Sequence, residues 1–382
     1  MPVDYRDSLL IDRITIILHY HAYAFTDIDW IVVFRIQSSA MAKPLFNPAL
    51  LSGADTGHAI EQAALAIGRL DARVSASSVA EAWALRAGWT GYSRALQLHG
   101  VEIDEIDVFS WGTGVLIPNR PARSTVVDNY AAFPIWRERM ALRGRHWAED
   151  LPFTLRRDEA ALTPSYLVRA FDLLAQWLET EPALEAWLAL PILLHRTEMT
   201  QRPLPCLVAG DARLRFGTRD PAALMRRLLG ELCDRAEAGL RSLVAMERAR
   251  ARALVILRDQ RRPGALRELL AMLQIAPLQT PEAVSRNLGL TLSGAGKLLQ
   301  RAALLGLVKE VSDRRSWRLY MTPDLAVALG FDSPPRGRPP RPPAAPAMAP
   351  AALLSAFDSE MAEWERRFGP IAIDGVANDE VQ

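Results

Sequence analysis

The chain has 382 residues, half of them hydrophobic and 23% charged, and its 45 basic and 44 acidic side chains leave a net charge of +1. Near-neutrality excludes a protein that coats nucleic acid by bulk electrostatics, so any such contact must come from a local basic patch. Only Cys206 and Cys233 are present, which excludes a disulfide framework and a cysteine-rich zinc site. No run of about 18 uninterrupted apolar residues marks a membrane span, and the expected compartment is a reducing cytoplasm.

Residues 1–40 are rich in Ile, Tyr and Asp, unlike the Ala-, Leu- and Arg-rich body. They lack the basic start, apolar block and small-residue cleavage site of a secretory signal. Met41 opens MAKPLFNPALL, which reads as a natural beginning, so residues 1–40 are read as a non-native or disordered extension. His19 and His21 alternate there, but no third metal ligand lies near them, and a strand-like or disordered tail is the expectation.

Residues 41–219 read as a helical domain. From 47 to about 84, Ala59, Ala63, Leu65, Ile67 and Leu70 give one apolar face, with a break at 75–78 before a second helix from 79 to 94. The segment VEIDEIDV at 101–108 alternates apolar and acidic residues, as either a short strand or a helical turn with an acidic face. Gly112, Gly114, Pro118 and Pro121 make 109–121 largely loop. Helix returns at 130–142 and 163–190, where Leu167, Phe171, Leu174, Trp177 and Leu178 recur at three- and four-residue spacing, and Pro191 ends that segment or opens the next. Residues 203–216 form another break.

Asp220 and Pro221 then cap a helix running to about residue 259, striped by Leu224, Leu228, Leu232, Leu240, Leu243 and Met246. At 1.5 Å per residue such a helix spans about 60 Å. Two readings stay open: one long dimer-forming or domain-connecting helix over 220–262, or two shorter core helices with a bend near Gly239. From 263 to 331 the pattern is that of a winged helix-turn-helix. Leu266, Leu269, Leu270 and Leu273 face one side of a first helix. Thr280 and Pro281 cap a second, which exits at Gly289, and a third starts near Thr291–Ser293 with Ala295, Leu298, Leu299, Ala302 and Leu305 inward. Gly306 suits a left-handed cap. Two β-like segments, 307–311 and 317–320, flank a polar tip, which is the wing. Thr322 and Pro323 cap a last short helix. The proline-rich stretch over 332–350 is an extended linker. Within 351–382, Leu353, Phe357, Met361, Trp364 and Phe368 stripe an amphipathic helix that docks onto its own chain or a partner subunit.

A helix that enters the major groove exposes small or hydrogen-bonding groups at its N-terminal end. Thr291, Ser293, Gly294, Lys297, Gln300 and Arg301 meet that demand, and Arg314, Arg315 and Arg318 on the wing are placed to neutralise phosphates. Between 280 and 331, seven basic residues stand against four acidic ones, a net of about +3 and a modest footprint. Catalytic signatures are absent: no phosphate-cradling glycine loop and no nucleophile elbow. Glu102, Asp104, Glu105 and Asp107 read as a solvated acidic face, and His195 with Glu198 as a surface pair. Trp111, Asn119, Arg120 and Arg123, beside two glycines, are the candidate pocket for a small anionic effector, with Trp83, Trp89 and Trp136 as core or lining. No cofactor and no metal are expected.

The sequence RNLGLTLSGAGKLLQRAALLGLVKEVSDRRSWRLY, with ALAIGRLDARVSASSVAEAW and VEIDEIDVFSWG before it, resembles an uncharacterised alphaproteobacterial, rhizobial-type family, often plasmid-borne. Its members pair an N-terminal helical domain of unknown function with a C-terminal helix-turn-helix. The resemblance covers about residues 59–330 and implies no activity. The C-terminal part is also similar to the winged helix appended to Fic-type adenylyltransferases. Their catalytic motif, a histidine followed by Phe and an Asn-Gly-Arg turn, is absent, and His195 in LHRTEM does not match it. The expectation is a mainly α protein that is not an enzyme: a helical N-terminal domain, a long connecting helix and a C-terminal winged helix-turn-helix with a small β-wing. It binds double-stranded DNA as a homodimer and regulates transcription. A protein-docking or plasmid-maintenance accessory module is the alternative.

Overall fold

The computed structural model describes residues 53–117, 120–124, 126–141, 151–153, 165–181, 183–216, 218–312 and 318–333, with six helical positions between 355 and 366. Twelve helices and one small three-stranded antiparallel sheet make up the described residues. Residues 1–52, the tip at 313–317 and the proline-rich stretch from 334 to 350 lie outside them. So do the proposed start at Met41, the pair His19 and His21, and the aromatic stripe of the tail.

Helix α1, Ala54–Ser75, buries Ala63, Ala66, Ile67, Leu70 and Val74, three and four residues apart. Leu65 falls off that stripe and is 68% exposed, so it is not a core residue as its place in the apolar run suggested. Helix α2, Ala80–Leu98, follows, and α3, Glu105–Thr113, begins where a strand or a helical turn was open. Local chemistry decides for helix. The Asp104 and Asp107 side chains form a reciprocal capping box, and Gly114 ends the helix in the left-handed conformation at φ 68°. Residues 109–113 are therefore helical rather than loop. Trp89 lies so close over Gly112 that an added Cβ would sit 2.3 Å from its ring.

Helices α4 (Ala132–Ala141), α5 (Tyr166–Thr180) and α6 (Leu184–Arg196) complete the body with the four-residue α7, Arg213–Phe216. The single helix expected over 163–190 is thus two, and Pro191 lies buried inside α6 rather than at its end. The break at 203–210 is core rather than surface: Leu204, Cys206, Leu207, Val208 and Ala209 are buried. Trp89, Tyr92, Tyr130, Phe133 and Trp136 pack as one aromatic cluster, with Tyr130 stacked on Phe133 at 4.9 Å. Its polar atoms are satisfied internally: Trp89 Nε1 donates to Tyr130 Oη at 2.8 Å, and Trp136 Nε1 to the Leu188 carbonyl at 2.8 Å. Of the readings open for Trp83, Trp89 and Trp136, the core reading holds.

Helix α8, Pro221–Asp259, is one unbroken helix of 39 residues started by Asp220, whose carboxylate accepts from Ala223 N at 2.9 Å. Gly239 does not bend it. There the chain needs close approach: the Gly239 carbonyl accepts from Trp83 Nε1 at 3.0 Å, and a Cβ would sit 2.8 Å from Cys206 Sγ. From Leu224 to Met246 the stripe is buried in the body, so that stretch joins elements of its own chain. Beyond it, Ala253, Ile256 and Leu257 pack on a second core.

That second core belongs to α9 (Leu266–Ile275), α10 (Pro281–Leu288) and α11 (Leu292–Leu304), with three two-residue strands, β1 (Leu278–Gln279), β2 (Lys309–Glu310) and β3 (Tyr320–Met321), and α12 (Pro323–Ala328). The strand order is β1-β3-β2, with Leu278 opposite Met321 and Glu310 opposite Tyr320. Strand alternation divides β3 between two cores. Tyr320 faces α9–α11, whereas Leu319 and Met321 join Leu278 in the core of the helical body. A buried ion pair ties the same seam. Arg86 of α2 donates from Nη1 to Asp324 Oδ2 at 2.7 Å and from Nη2 to the Leu273 carbonyl at 2.8 Å. Burial lowers the guanidinium pKa and Asp324 opposes that shift. Residues 333–382 form a separate unit, in which Ser355, Asp358, Ser359, Ala362, Glu363 and Arg366 are helical.

Two glycines on α8 predict opposite outcomes. A Cβ at Gly230 meets nothing within 4 Å, so Gly230→Ala should stabilise by about 0.5–1 kcal/mol through helix propensity. Gly239→Ala should destabilise by about 1–3 kcal/mol, because Cys206 and Leu70 must move. Urea titration of both variants checks the pair, and equal midpoints would contradict the packing. At the seam, Asp324→Ala leaves a buried guanidinium unpaired and should cost about 3–5 kcal/mol. The double replacement Arg86→Met with Asp324→Leu should cost much less in the same titration.

Candidate nucleic-acid interface

Helices α10 and α11 are joined by residues 289–291, and each feature of that join is set by a named residue. Thr280 Oγ1 accepts from Ala283 N at 3.1 Å to start α10, and Gly289 ends it at φ 64°. Leu290 N donates to the Ser285 carbonyl at 3.1 Å while Ser285 Oγ donates to the Leu290 carbonyl at 2.6 Å, fixing the turn from both sides. Thr291 then caps α11 by accepting from Gly294 N at 3.1 Å. Thr291 and Gly294 therefore build the helix start, and a Cβ at Gly294 would press on Thr291 Oγ1 at 3.0 Å.

Ala295, Leu299 and Ala302 turn α11 inward. The opposite face exposes Leu292, Ser293, Lys297, Gln300 and Leu304, with no Cβ at Gly296 to obstruct it. Ser293, Lys297 and Gln300 thus share one open stripe of hydrogen-bonding groups. Arg301 does not join them: its Nη2 donates to Gln260 Oε1 at 2.7 Å and to the Arg262 carbonyl at 3.1 Å, so the guanidinium is turned back onto the end of α8.

The charge of the region is mostly neutralised within it. Arg286 pairs with Glu282, Lys309 with Asp332, and Arg318 with Glu310 at 3.7 Å. Arg314 and Arg315 lie outside the described residues. Among the described residues of 280–331, Lys297 is the cation with no bond to an acid or to a backbone carbonyl, and it sits in the middle of the exposed stripe. A second group was missed from sequence. Arg258, Arg261, Arg262 and Arg267 flank the α8–α9 junction, are all exposed, and carry no ion pair among the described residues. Only the fold shows that their segment abuts α11.

The candidate effector residues are brought together but are occupied. Trp111 Nε1 donates to the Pro121 carbonyl at 3.1 Å. Arg120 bonds Asp104 and lies 3.8 Å from Asp107, and Arg123 Nε bonds Asp128 at 2.7 Å with its guanidinium 5.2 Å from the Tyr130 ring centre. The hydrogen bonds to Asp104 and Asp128 raise the two arginine pKa values, and the bond from Arg123 lowers that of Asp128. An anion would have to displace a carboxylate at either position. Asn119 is outside the described residues. The acidic run at 102–107 is likewise partly structural, as cap and ion-pair partners, and His195 Nδ1 lies 2.9 Å from the Thr200 carbonyl. Among the described residues no group of three His, Cys, Asp or Glu side chains is placed to hold a metal ion, and no helix is long and apolar enough to cross a membrane. Set against protein-family models and against curated proteins, the chain finds a match in neither.

Proposed function

We propose that residues 263–331 form a winged helix-turn-helix that binds double-stranded DNA, and that the protein is a cytoplasmic transcriptional regulator acting as a homodimer. What carries this reading is the outward stripe of α11, where Ser293, Lys297 and Gln300 stand free on a helix capped by Thr291. Serine, lysine and glutamine are the groups that exchange hydrogen bonds with base edges in the major groove. The element order α9-β1-α10-α11-β2-β3, with strands arranged β1-β3-β2, supports the reading, since two helices joined by a short turn and followed by two paired strands is the order a winged helix-turn-helix requires. With one free cation on the stripe, a single module has little electrostatic affinity, which favours two copies on a symmetric site. The second copy contacts a surface other than the 224–246 face of α8, which its own chain buries.

A protein-docking module is the second reading, favoured by the apolar ends of the same stripe: Leu292 is 61% exposed and Leu304 is 90% exposed. The two readings separate by mutation. With a duplex selected from a random pool, Lys297→Ala should lose about 1–3 kcal/mol of discrimination at one base-pair position in competition gel shifts, with the thermal melt unchanged. Leu304→Asp should leave that binding intact. Full DNA affinity in Lys297→Ala, or loss of DNA binding in Leu304→Asp, would sink the base-reading role.

A further inference from the structure

Besides Lys297 on α11, positive charge without an ion pair among the described residues lies in the turn that leads into α9. Residues 258–268 carry Arg258, Arg261, Arg262 and Arg267 against Asp259 and Glu268, and none of the six makes an ion pair among the described residues. The turn is held at three points. Pro263 fixes its own φ, next to Gly264, which permits the left-handed bend at φ 53°. Leu266, fully buried, anchors the start of α9, with its N–H on the Pro263 carbonyl at 3.1 Å. Arg301 of α11 holds both the Gln260 side chain and the Arg262 carbonyl. That last bond holds the Arg262 backbone against α11 through the side chain of Arg301, four residues after Lys297 on the same helix.

From this juxtaposition we infer that the α8–α9 turn is a second contact element, in which Arg261 and Arg262 hold the phosphodiester backbone of the duplex that α11 enters. Arg301 is a positioning residue that fixes the turn beside the helix. The inference rests on the DNA reading above and adds the source of its affinity. Arg261 and Arg262 side chains are exposed and have no ion pair among the described residues to break on meeting a phosphate, and the counterions they displace supply the affinity. A prearranged turn also avoids the ordering cost that a flexible basic loop would carry. The division of labour is then spatial: the stripe on α11 reads bases, and the turn sets register and salt-dependent affinity.

The test uses the full chain and two duplexes, one selected from a random pool and one of scrambled sequence, with affinity measured across a potassium chloride series. Arg261→Ser with Arg262→Ser should weaken both duplexes by the same factor and lower the slope of log affinity against log salt by about two. Arg301→Ala alone should lower the slope in the same direction, and in the Arg261→Ser, Arg262→Ser background it should lower it no further. A residue that merely supports the fold would add its effect in both backgrounds. If the wild-type chain binds both duplexes and the double variant keeps its slope, the turn is not a phosphate contact, while the DNA reading stands. If the wild-type chain binds neither duplex at any salt concentration, the DNA reading falls and this inference falls with it.

Discussion

A buried arginine decides how the helical body and residues 263–332 are held together. Arg86 sits on α2 in the helical body, yet both of its hydrogen-bond partners, Asp324 and the Leu273 carbonyl, lie in the C-terminal region. A guanidinium taken out of water tolerates few alternatives, because any rotation of one part against the other leaves a charge without a partner. The apolar contacts around it are less exacting: Leu278, Leu319 and Met321 would bury almost as much surface in several arrangements. The ion pair therefore supplies direction where the hydrophobic seam supplies adhesion. Helix α8 adds a third link, since its first part is core to the body and Ala253, Ile256 and Leu257 are packed on the core of α9–α11.

That arrangement explains why α11 presents the stripe it does. Its inward residues are fixed by α9 and α10, and Arg301 closes the remaining degree of freedom by gripping the end of α8. The same grip aligns the α8–α9 turn with α11, so body, long helix and exposed stripe form one continuous framework. On the proposed reading, a regulatory signal cannot act by swinging a loosely tethered module. It would have to loosen the Arg86 seam or change how two copies meet.

Much of this was legible in the sequence wherever the deciding chemistry is local. Thr280, Gly289, Thr291, Gly306 and Asp220 each set a cap or a turn through neighbours within a few residues, and each appears where its spacing placed it. The misreadings share the opposite cause. Gly112 and Gly114 suggested loop because glycine counts as a breaker, whereas one accommodates the Trp89 ring and the other only terminates α3. Pro191 suggested a boundary, yet it is carried inside a buried helix. Strand β1, two residues long, has no periodicity to detect, and its existence depends on β3, over 40 residues away. The role of Arg301 was legible only as basic and outward, because its partners Gln260 and Arg262 are some 40 residues earlier in the chain.

The charge distribution carries the most consequence for function. Counting residues between 280 and 331 suggested a basic patch of about +3. In the fold, Arg286, Lys309 and Arg318 face Glu282, Asp332 and Glu310, so these three present dipoles rather than separate charges, and Arg301 turns its charge toward the end of α8. Among the described residues, the cations without an ion pair include Lys297 and the arginines of the α8–α9 junction, a region divided in the sequence between a connecting helix and the next domain. An ion pair screens a cation far more than distance along the chain does, since a paired charge presents only a dipole to an approaching phosphate. Where such a surface meets DNA, affinity is governed by which side chains lack a carboxylate partner, and that is a property of the fold rather than of composition.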